Sequence, residues 1–249
     1  MTSYHGGKQR IGETIAHHIA SYVANDDHWD TYVEPFAGMC GVYRHIPALL
    51  GKRTYVAGDI NESVVKMWTQ VQRGWIPPLS CTESTYNRLK RQTTPSAEKG
   101  YIGHQFSFGG QYFKGYRGLY ENKETSRCSK SQTNVLDIGE ILANAKVKWY
   151  HGSYDVCSDM KNAIMYLDPP YEQGSEYFDE EHTKRSFDTR AFWDWCLRMS
   201  KHNVVFVSEY SIPRGYKKHT RLIYETDVHA GHSHTDRVRT EKLYVVTPR

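Results

Sequence analysis

The sequence lacks the features that mark disulfide-rich, zinc-binding and membrane-spanning proteins. Its five cysteines are scattered, odd in number and never spaced as CxxC, which argues against a disulfide framework or a zinc knuckle and fits a reducing cytosol. No apolar run reaches about 18 residues, so we expect no membrane span. The N-terminal segment is polar and glycine-rich and lacks the apolar core of a secretory signal. These absences together predict a cytoplasmic protein.

The sequence also lacks internal repeats, long low-complexity linkers and a strong charge of either sign. Its net charge of +4 is mildly basic, which is compatible with a polyanionic partner without indicating one. Hydrophobic residues make up 39% of the 249 positions, enough for a core, and tyrosine is common at 19. This length permits one large α/β domain, or one such domain with a sizeable insertion.

Strand and helix patterns alternate along much of the chain. Continuous apolar runs, typical of strands buried on both faces, occur at Thr31–Glu34, Thr54–Gly58, Val147–His151, Ala163–Leu167 and Asn203–Ser208. Helical spacing of apolar residues, with Asn61 and Asp188 as N-caps, occurs at Ile11–Val23, Asn61–Gln72, Thr133–Ala145 and Asp188–Met199. The alternation predicts a doubly wound α/β sheet, closed by two further strands at Arg221–Glu225 and Lys242–Val246.

The middle of the chain, residues 74–145, departs from this alternation. Strand-like runs are scarce there, and Tyr, Gly, Lys and Arg are dense. Residues 75–147 hold ten Lys or Arg and six Asp or Glu, an excess of +4 that equals the net charge of the whole chain. We expect a mainly helical insert that carries a β-hairpin at Phe106–Phe113 with a Gly-Gly turn, followed by a polar, mobile segment at Glu121–Thr133.

The most informative short motif is Asp168-Pro169-Pro170-Tyr171, which directly follows the apolar run Ala163–Leu167. Because proline has no N–H, a central strand must stop there, and the corner presents one carboxylate, one bare carbonyl and one aromatic ring. The carboxylate and the Pro169 carbonyl can each accept an N–H, and the ring can stack, so the group suits an exocyclic amine on a planar base. An ordinary strand-to-loop turn is the alternative interpretation.

Two further loops follow predicted strands at the edge where doubly wound sheets bind ligands. The first runs from Glu34 through Gly38 into a helix, and an acid there suits a ligand with an amine and a carboxylate, such as methionine. It has no GxGxxG pattern, so a phosphate cradle is not indicated. Asp59 ends the next strand and can hold ribose hydroxyls or merely cap the following helix. The N-terminal Gly6-Gly7-Lys8 lets the backbone pass close to a ligand.

These segments together resemble one family of enzymes. Four elements occur in the order found in the Dam-like (D12-class, α-group) DNA adenine-N6 methyltransferases: Tyr4-x-Gly6-Gly7-Lys8, Glu34-Pro35-Phe36-x-Gly38, Asp59-Ile60-Asn61 and Asp168-Pro169-Pro170-Tyr171. The set is specific, although each element alone is not. The resemblance implies a Rossmann-like doubly wound methyltransferase fold, S-adenosylmethionine as methyl donor, double-stranded DNA as partner and adenine N6 as acceptor.

The resemblance also implies a division of the chain and a role for each matching residue. Residues 1–73 and 146–249 would form the two parts of a catalytic domain, and residues 74–145 an inserted target-recognition domain that binds DNA. The residues implied to bind the cofactor are Tyr4, Lys8, Glu34, Pro35, Phe36, Gly38, Asp59, Ile60, Ser153, Tyr154 and Asp168. Many members carry Asp-Phe where this chain has Ser153-Tyr154, and a second loop glycine where it has Cys40.

The implied mechanism is direct methyl transfer to N6 of an adenine flipped out of the duplex. The N6 lone pair is delocalised into the ring. Hydrogen bonds from N6–H to Asp168 and to the Pro169 carbonyl would therefore favour a more tetrahedral nitrogen and aim it at the sulfonium methyl. The implied catalytic residues are Asp168, Pro169, Pro170 and Tyr171, with Tyr171 stacked on the flipped base.

The predicted hairpin and the residues after it combine aromatic and basic side chains. A tight hairpin of this kind can enter a groove or fill the gap left by a flipped base, whereas a structural hairpin with a solvated tip is the alternative. The residues that we predict to contact DNA are Gln111, Tyr112, Lys114, Tyr116 and Arg117. We predict no metal site, and interpret the segment with histidines at 229, 232 and 234 as a polar surface loop.

DNA adenine methylation has alternatives in both chemistry and role. Cytosine C5 methylation needs a thiolate nucleophile, usually in a Pro-Cys pair, and none of the five cysteines follows a proline. Enzymes that methylate a base amine in RNA, such as guanine N2, can also use Asp-Pro-Pro, but they lack the N-terminal Gly-Gly-Lys and the basic insert. A catalytically silent DNA-binding protein on the same fold stays open, and cofactor binding would separate it from an enzyme.

The biological setting is left open by the sequence. A restriction–modification system with a cognate restriction endonuclease as partner, a phage or another virus, and a housekeeping bacterial locus all fit. Each places the protein in the cytoplasm of a bacterial, phage or viral host cell. The recognition sequence and the oligomeric state are equally open.

Overall fold

The computed structural model describes residues 7–26, 28–117, 124–170, 177–178, 184–185, 187–230 and 237–248. Its strands are β1 (Thr31–Glu34), β2 (Thr54–Asp59), β3 (Lys148–His151), β4 (Ala163–Leu167), β5 (Tyr177–Phe178), β6 (Lys184–Arg185), β7 (Val204–Glu209), β8 (Thr220–Ala230) and β9 (Arg237–Val246). Its α-helices are α1 (Gly12–Val23), α2 (Ile46–Leu50), α3 (Glu62–Val71), α4 (Glu83–Arg91), α5 (Ala97–Gln105), α6 (Glu124–Asn144) and α7 (Thr189–Met199). None of the helices in these ranges is both long enough and apolar enough to cross a membrane.

Within these residues, seven strands form one sheet in the order β3-β2-β1-β4-β7-β9-β8, and β5 pairs separately with β6. Neighbouring strands from β3 to β7 are parallel, whereas β9 runs antiparallel to both β7 and β8. The predicted Rossmann-like, doubly wound α/β sheet is confirmed by this order. β1 and β4 match their predicted bounds, and β2, β3 and β7 differ from theirs by one residue at one or both ends.

An apolar core covers each face of the sheet. The central strand β4 is therefore buried at all its positions. Ile164 and Tyr166 belong to the core that also contains residues of α1, α3 and α5. Met165 and Leu167 belong to the other core, which contains residues of α7. Side chains alternate between faces along a strand, so Asp168, which follows Leu167, falls on the face of Tyr166.

The predicted helix starts are confirmed where the caps were identified. Asn61 Oδ1 accepts the Val64 N–H at 3.1 Å, and Asp188 Oδ1 accepts the Ala191 N–H at 2.9 Å. The two C-terminal strands are longer than predicted. Lys242 of β9 pairs with Glu209, the last residue of β7, and on its other side with Glu225 of β8. β8 and β9 stay paired beyond Lys242 as far as Ala230 and Arg237, so this end of the hairpin extends past the carboxyl end of β7.

The helices between residues 74 and 145 pack directly on the sheet domain. Buried residues of α4, α5 and α6 belong to the same apolar cluster as residues of α1 and α3. The contact of α5 with α3 is close because position 100 is glycine, where a Cβ would lie 2.2 Å from the Ser63 carbonyl oxygen. The division into an inserted recognition domain stays a prediction, and the two regions share one core.

Two predictions for this region are wrong. The polar stretch predicted to be mobile is helical from Glu124 onward, because α6 is anchored by buried Val135, Ile138 and Leu142 on one face. The segment predicted as a β-hairpin is a tight loop at residues 107–116, closed by a single antiparallel bridge between Ser107 and Tyr116. Its Gly-Gly pair lies in a 3-10 turn at Phe108–Gly110.

A tertiary contact explains the shape of this loop. The Tyr86 hydroxyl is hydrogen-bonded to Ser107 Oγ at 2.7 Å and accepts the Gly115 N–H at 3.2 Å. One buried side chain from α4 therefore joins the two ends of the loop. Two backbone hydrogen bonds also join them, from the Phe108 N–H to the Gly115 carbonyl oxygen at 3.1 Å and from the Arg117 N–H to the Phe106 carbonyl oxygen at 2.9 Å. The alternating pattern of Phe106–Phe113 gave no sign of this anchor.

Candidate active site

The two principal acids predicted from the sequence lie where the order of the strands reverses. β1 is flanked by β2 on one side and by β4 on the other. Val33 of β1 is level with Met165 of β4, which brings Glu34 and Asp168 to the same edge of the sheet. In doubly wound sheets, ligands bind in the crevice outside the carboxyl ends of the strands at such a point.

A small cavity opens at this edge between the start of α1, the loop after β1 and the end of β4. Its lining includes Lys8, Glu34, Phe36, Gly38 and Asp168. The structure therefore brings together predicted cofactor-site residues that are up to 160 positions apart in the chain. That convergence gives one face of the crevice both charged and aromatic groups.

Lys8 connects two carboxylates in this crevice. Its Nζ donates to Asp168 Oδ1 at 2.7 Å and lies 3.4 Å from Glu241 Oε1. The Lys8 side chain is only 6% exposed, compared with 17% for Asp168 and 5% for Glu241. Burial lowers the pKa of Lys8, but the two carboxylates outweigh that effect, so its pKa lies above the usual 10.5. Lys8 is therefore a cation at neutral pH.

Glu34 is the deepest acid of the cavity, with 2% of its surface exposed. Its Oε2 accepts a hydrogen bond from the Tyr32 hydroxyl at 3.0 Å. Burial is the largest cause that raises the pKa of Glu34 well above 4.5. The Tyr32 hydrogen bond lowers the pKa, and the Asp168 charge raises it further. A cation bound beside Glu34 would favour its ionised form, so its charge depends on what occupies the cavity.

Two acids of this edge were missed by sequence reasoning. Glu209 ends β7 and is 4% exposed, and burial raises its pKa to about 7, with further contributions from the charges of Asp168 and Glu241. Its position after an apolar run was a usable signal, since carboxyl ends of parallel strands share one edge. Glu241 lies within a charged stretch of β9, and no local pattern in the sequence distinguishes it.

Asp59 shapes the loop after β1. Its Oδ2 accepts the Gly38 N–H at 2.9 Å, and its Oδ1 accepts the Asn61 N–H at 2.8 Å. Gly38 and Cys40 both have left-handed backbone conformations, with φ values of 47° and 54°. Such conformations favour glycine. The backbone of Cys40 therefore has a conformation typical of glycine, and the Cys40 side chain is fully buried. The predicted contact of Asp59 with ribose stays a prediction.

Residues after β3 lie beside the end of β2. The Gly152 N–H donates to the Asp59 carbonyl oxygen at 3.1 Å, which brings Ser153 and Tyr154 to this position. The ring of Tyr154 stacks on Phe36, with centroids 5.8 Å apart. Ile60 is 43% exposed. An exposed apolar side chain and an aromatic pair at one edge suit a flat, aromatic ligand.

The other residues of the predicted site are placed only in part. Pro35 and Pro169 are buried beside the acids that precede them, and Pro170 is half-buried. Tyr4 and Tyr171 lie outside the described residues. The stacking role predicted for Tyr171 therefore stays a prediction.

The residues predicted to contact DNA differ in their surroundings. Lys114 is exposed and Gln111 is half-buried on the loop at residues 107–116. The Tyr116 hydroxyl donates to the Cys81 carbonyl oxygen at 2.6 Å, and an Nη of Arg117 donates to the Gln105 carbonyl oxygen at 3.3 Å. In this arrangement both side chains help to hold the loop in place.

The inner side of the same loop packs on a buried histidine. His104 Nδ1 is hydrogen-bonded to the Gly110 carbonyl oxygen at 3.0 Å. The centroids of the His104 and Tyr112 rings are 4.9 Å apart. Burial lowers the pKa of His104 to about 4, so the imidazole is neutral at neutral pH. Phe108, at the outer side, is 60% exposed. Sequence reasoning missed this residue, although an aromatic directly before Gly-Gly was a signal.

The model of the family described as D12 class N6 adenine-specific DNA methyltransferase matches residues 4–129. No protein of curated function matches the chain.

Several solved structures are similar in shape. An rRNA methyltransferase from Streptomyces viridochromogenes is 11% identical, with 94% of this chain and 84% of that chain covered and a TM-score of 0.40. A precorrin-6y C5,15-methyltransferase from Geobacter metallireducens is 5% identical, with 95% of this chain and 88% of that chain covered and a TM-score of 0.41. The N-terminal domain of human METTL16 in complex with SAH is 10% identical, with 95% of this chain and 70% of that chain covered and a TM-score of 0.37. At this distance the likenesses say nothing about the substrate.

Proposed function

The chain belongs to the D12 class N6 adenine-specific DNA methyltransferase family, and from this membership we propose that it methylates adenine N6 at specific sites in double-stranded DNA. Its cofactor is S-adenosylmethionine, which supplies an electrophilic methyl group on a sulfonium when bound. The observation that carries the proposal is the convergence of Asp168, Lys8, Glu34 and Phe36 on one cavity at the switch point of the sheet.

The chemistry of this edge fits the cofactor in three places. The Glu34 carboxyl suits the ammonium of the methionine part, since a cation there would favour its ionised form. The two carboxylate oxygens of Asp59 each accept one backbone N–H, which holds the carboxylate in place. Each oxygen has a second lone pair that can accept a hydrogen bond from a ribose hydroxyl. Ile60 and Tyr154 offer apolar surface to the adenine ring of the cofactor.

Asp168 and Pro169 would act on the substrate amine. The carboxylate of Asp168 and the carbonyl of Pro169 accept the two N6–H groups, which localises the nitrogen lone pair and fixes its direction. Asp168 acts as an acceptor and orienter, because Lys8 at 2.7 Å already balances its charge. As the methylated nitrogen becomes positively charged, one N6 proton leaves toward the Asp168 carboxylate. Tyr171 would stack on the base.

A base can reach this cavity only if it leaves the duplex, since N6 is otherwise paired within the helix. The loop at residues 107–116 suits that task. Phe108 at its tip is 60% exposed, and an exposed aromatic can fill the gap left by a flipped base. Lys114, exposed on the same loop, suits a phosphate of the backbone.

This reaction would take place in the cytoplasm of a bacterial, phage or viral host cell. A cognate restriction endonuclease is a partner that fits site-specific methylation.

The proposal is tested by comparing Asp168→Ala with an exposed control, Asp159→Ala, in a transfer assay with tritiated S-adenosylmethionine. We expect the unaltered protein and Asp159→Ala to label duplex DNA. We expect Asp168→Ala to lose transfer by roughly a thousandfold or more while keeping much of its affinity for DNA. Parallel reactions contain RNA. Label that enters RNA and not DNA, or full activity of Asp168→Ala, would contradict the proposal.

A further inference from the structure

The proposed reaction makes two demands on Asp168. Its carboxylate must accept an N6–H of the substrate adenine, yet its Oδ1 already accepts from Lys8 at 2.7 Å. An ammonium draws on the charge of the carboxylate that it contacts, which weakens that carboxylate as an acceptor for a neutral amine. Asp168 Oδ2 can accept the amine beside this pair, and Lys8 strengthens that contact if it loosens its own hold on the carboxylate.

Lys8 needs another partner if it does so. Its side chain is only 6% exposed, and a buried cation without a counter-charge is strongly unfavourable. Any loosening of the pair that left Lys8 alone would oppose binding of the base. The site therefore requires a second anion within reach of the same ammonium.

Glu241 lies where that second anion is required. It is on β9, next to the position where Lys242 pairs with Glu209 at the carboxyl end of β7. Its side chain is 5% exposed, and its Oε1 lies 3.4 Å from Lys8 Nζ. A charge-assisted N–H···O contact is about 2.8 Å long, so the ammonium has to move by only about 0.6 Å to exchange one carboxylate for the other.

We propose that Glu241 is a positioning residue that takes over the Lys8 ammonium when the substrate amine engages Asp168. The inference rests on the proposed function, because it concerns the acceptor on which that function depends. Glu241 acts through Lys8 and does not itself touch the substrate. It allows Asp168 to change partners while the buried charges stay balanced.

Other acids of the cluster are less suited to this role. Glu34 and Glu209 approach it from β1 and β7, and Tyr210 also interacts with Lys8 electrostatically. Burial raises the pKa of Glu34 well above 4.5 and that of Glu209 to about 7, so the anionic form of each is disfavoured. Glu241 in contrast makes an ion pair with the ammonium in the structure.

The first test follows the charge of Lys8 without cofactor or DNA. The Nζ of Lys8 is titrated by NMR in protein with labelled lysine, and its signal is identified by its loss in Lys8→Met. Asp168→Asn imitates withdrawal of the Asp168 charge. With Glu241 present, we expect the pKa of Lys8 to fall by about one unit or less, and with Glu241→Gln added, by a further two units or so. Equal pKa values in the single and double variants would overturn the proposal.

The second test measures single-turnover methyl transfer to DNA. We expect Glu241→Gln to lower the rate at saturating cofactor roughly ten- to hundredfold through misplacement of Lys8, with the dissociation constant for DNA within about twofold. Glu241→Asp should restore much of the rate, and Glu225→Gln, an exposed acid on β8, should leave it unchanged. In a Lys8→Gln background, Glu241→Gln should cause no further loss.

The outcomes separate this inference from the proposed function. If the unaltered protein methylates DNA but Glu241→Gln transfers at the same rate, the exchange of partners is refuted and the function stands. If the unaltered protein transfers no methyl group to DNA, the proposed function fails, and the exchange fails with it as a step of that reaction. The NMR titration then still decides whether Lys8 is shared between Asp168 and Glu241.

Discussion

Replacing Glu209 by glutamine is expected to stabilise the protein at alkaline pH and to change little at acid pH. Glu209 is 4% exposed at the end of β7, and its pKa is raised from 4.5 to about 7, mainly by burial and further by the charges of Asp168 and Glu241. A carboxyl with a raised pKa binds a proton more readily in the folded than in the unfolded state. The stability that it contributes is therefore present at low pH and lost as the pH rises through about 7.

The magnitude follows from the size of the shift. One pKa unit corresponds to about 1.4 kcal/mol, so a shift of roughly 2.5 units gives about 3 kcal/mol lost between pH 4.5 and pH 8. Glutamine has nearly the same shape and is neutral throughout, and its carbonyl oxygen can keep the hydrogen bond that Glu209 Oε1 accepts from the Tyr210 N–H at 2.8 Å. The free energy of unfolding of Glu209→Gln should thus exceed that of the parent by up to about 3 kcal/mol at pH 8 and by about zero near pH 4.5.

Urea unfolding of parent and variant at pH 5, 6, 7 and 8 measures this difference directly. Glu225→Gln is the matched control, because Glu225 is an exposed glutamate on the neighbouring hairpin, and it should give a difference near zero at every pH. A difference between Glu209→Gln and the parent that does not change with pH would show that Glu209 does not bind its proton more tightly in the folded state. So would a variant that is less stable than the parent at pH 8.

Three further outcomes are expected. Gly100→Ala should lower the free energy of unfolding by about 1–3 kcal/mol, because a Cβ there meets the Ser63 carbonyl oxygen at 2.2 Å, whereas Gly215→Ala, with open space around it, should cost less than about 0.5 kcal/mol. The pKa of His104 in the folded state is lowered to about 4, so its contribution to the free energy of unfolding is complete above pH 6.5 and is lost as the pH falls. Between pH 6.5 and pH 5 the parent should therefore lose about 2 kcal/mol through this group, whereas His104→Gln should not. Urea unfolding at both pH values measures the difference. Lys114→Ala should weaken DNA binding and reduce the salt slope by about one, measured by fluorescence anisotropy over a salt series, with the exposed Lys52→Ala as control. Equal effects in the test and control variants of the first and third pairs would contradict the contacts assigned to them.

The sheet was predictable because its signals are local. Ala163–Leu167 is apolar without interruption, which is how a strand covered on both faces looks in a sequence, and it is β4 in the structure. The caps at Asn61 and Asp188 depend on one side chain and the next three residues, and both were found. The convergence of Glu34 and Asp168 on one edge followed from two strand ends in a parallel sheet.

The parts that escaped prediction depend on contacts across the chain. The loop at residues 107–116 takes its shape from Tyr86 on α4, which a pattern of glycine and aromatic residues does not reveal. Glu241 reaches Lys8 because β9 inserts between β7 and β8, and only the strand order places it there. The helical start of α6 at Glu124 is polar, and the buried residues that stabilise it lie farther along the helix.

Identification of the methylated product is the direct test of adenine-N6 methylation by this protein. The purified protein is incubated with S-adenosylmethionine carrying a labelled methyl group and with unmethylated genomic DNA, which is then digested to nucleosides for mass spectrometry. We expect labelled N6-methyladenine, with the label clustered at one short sequence when the same DNA is sequenced. Labelled cytosine, or no labelled base in DNA while the protein binds the cofactor, would contradict this expectation.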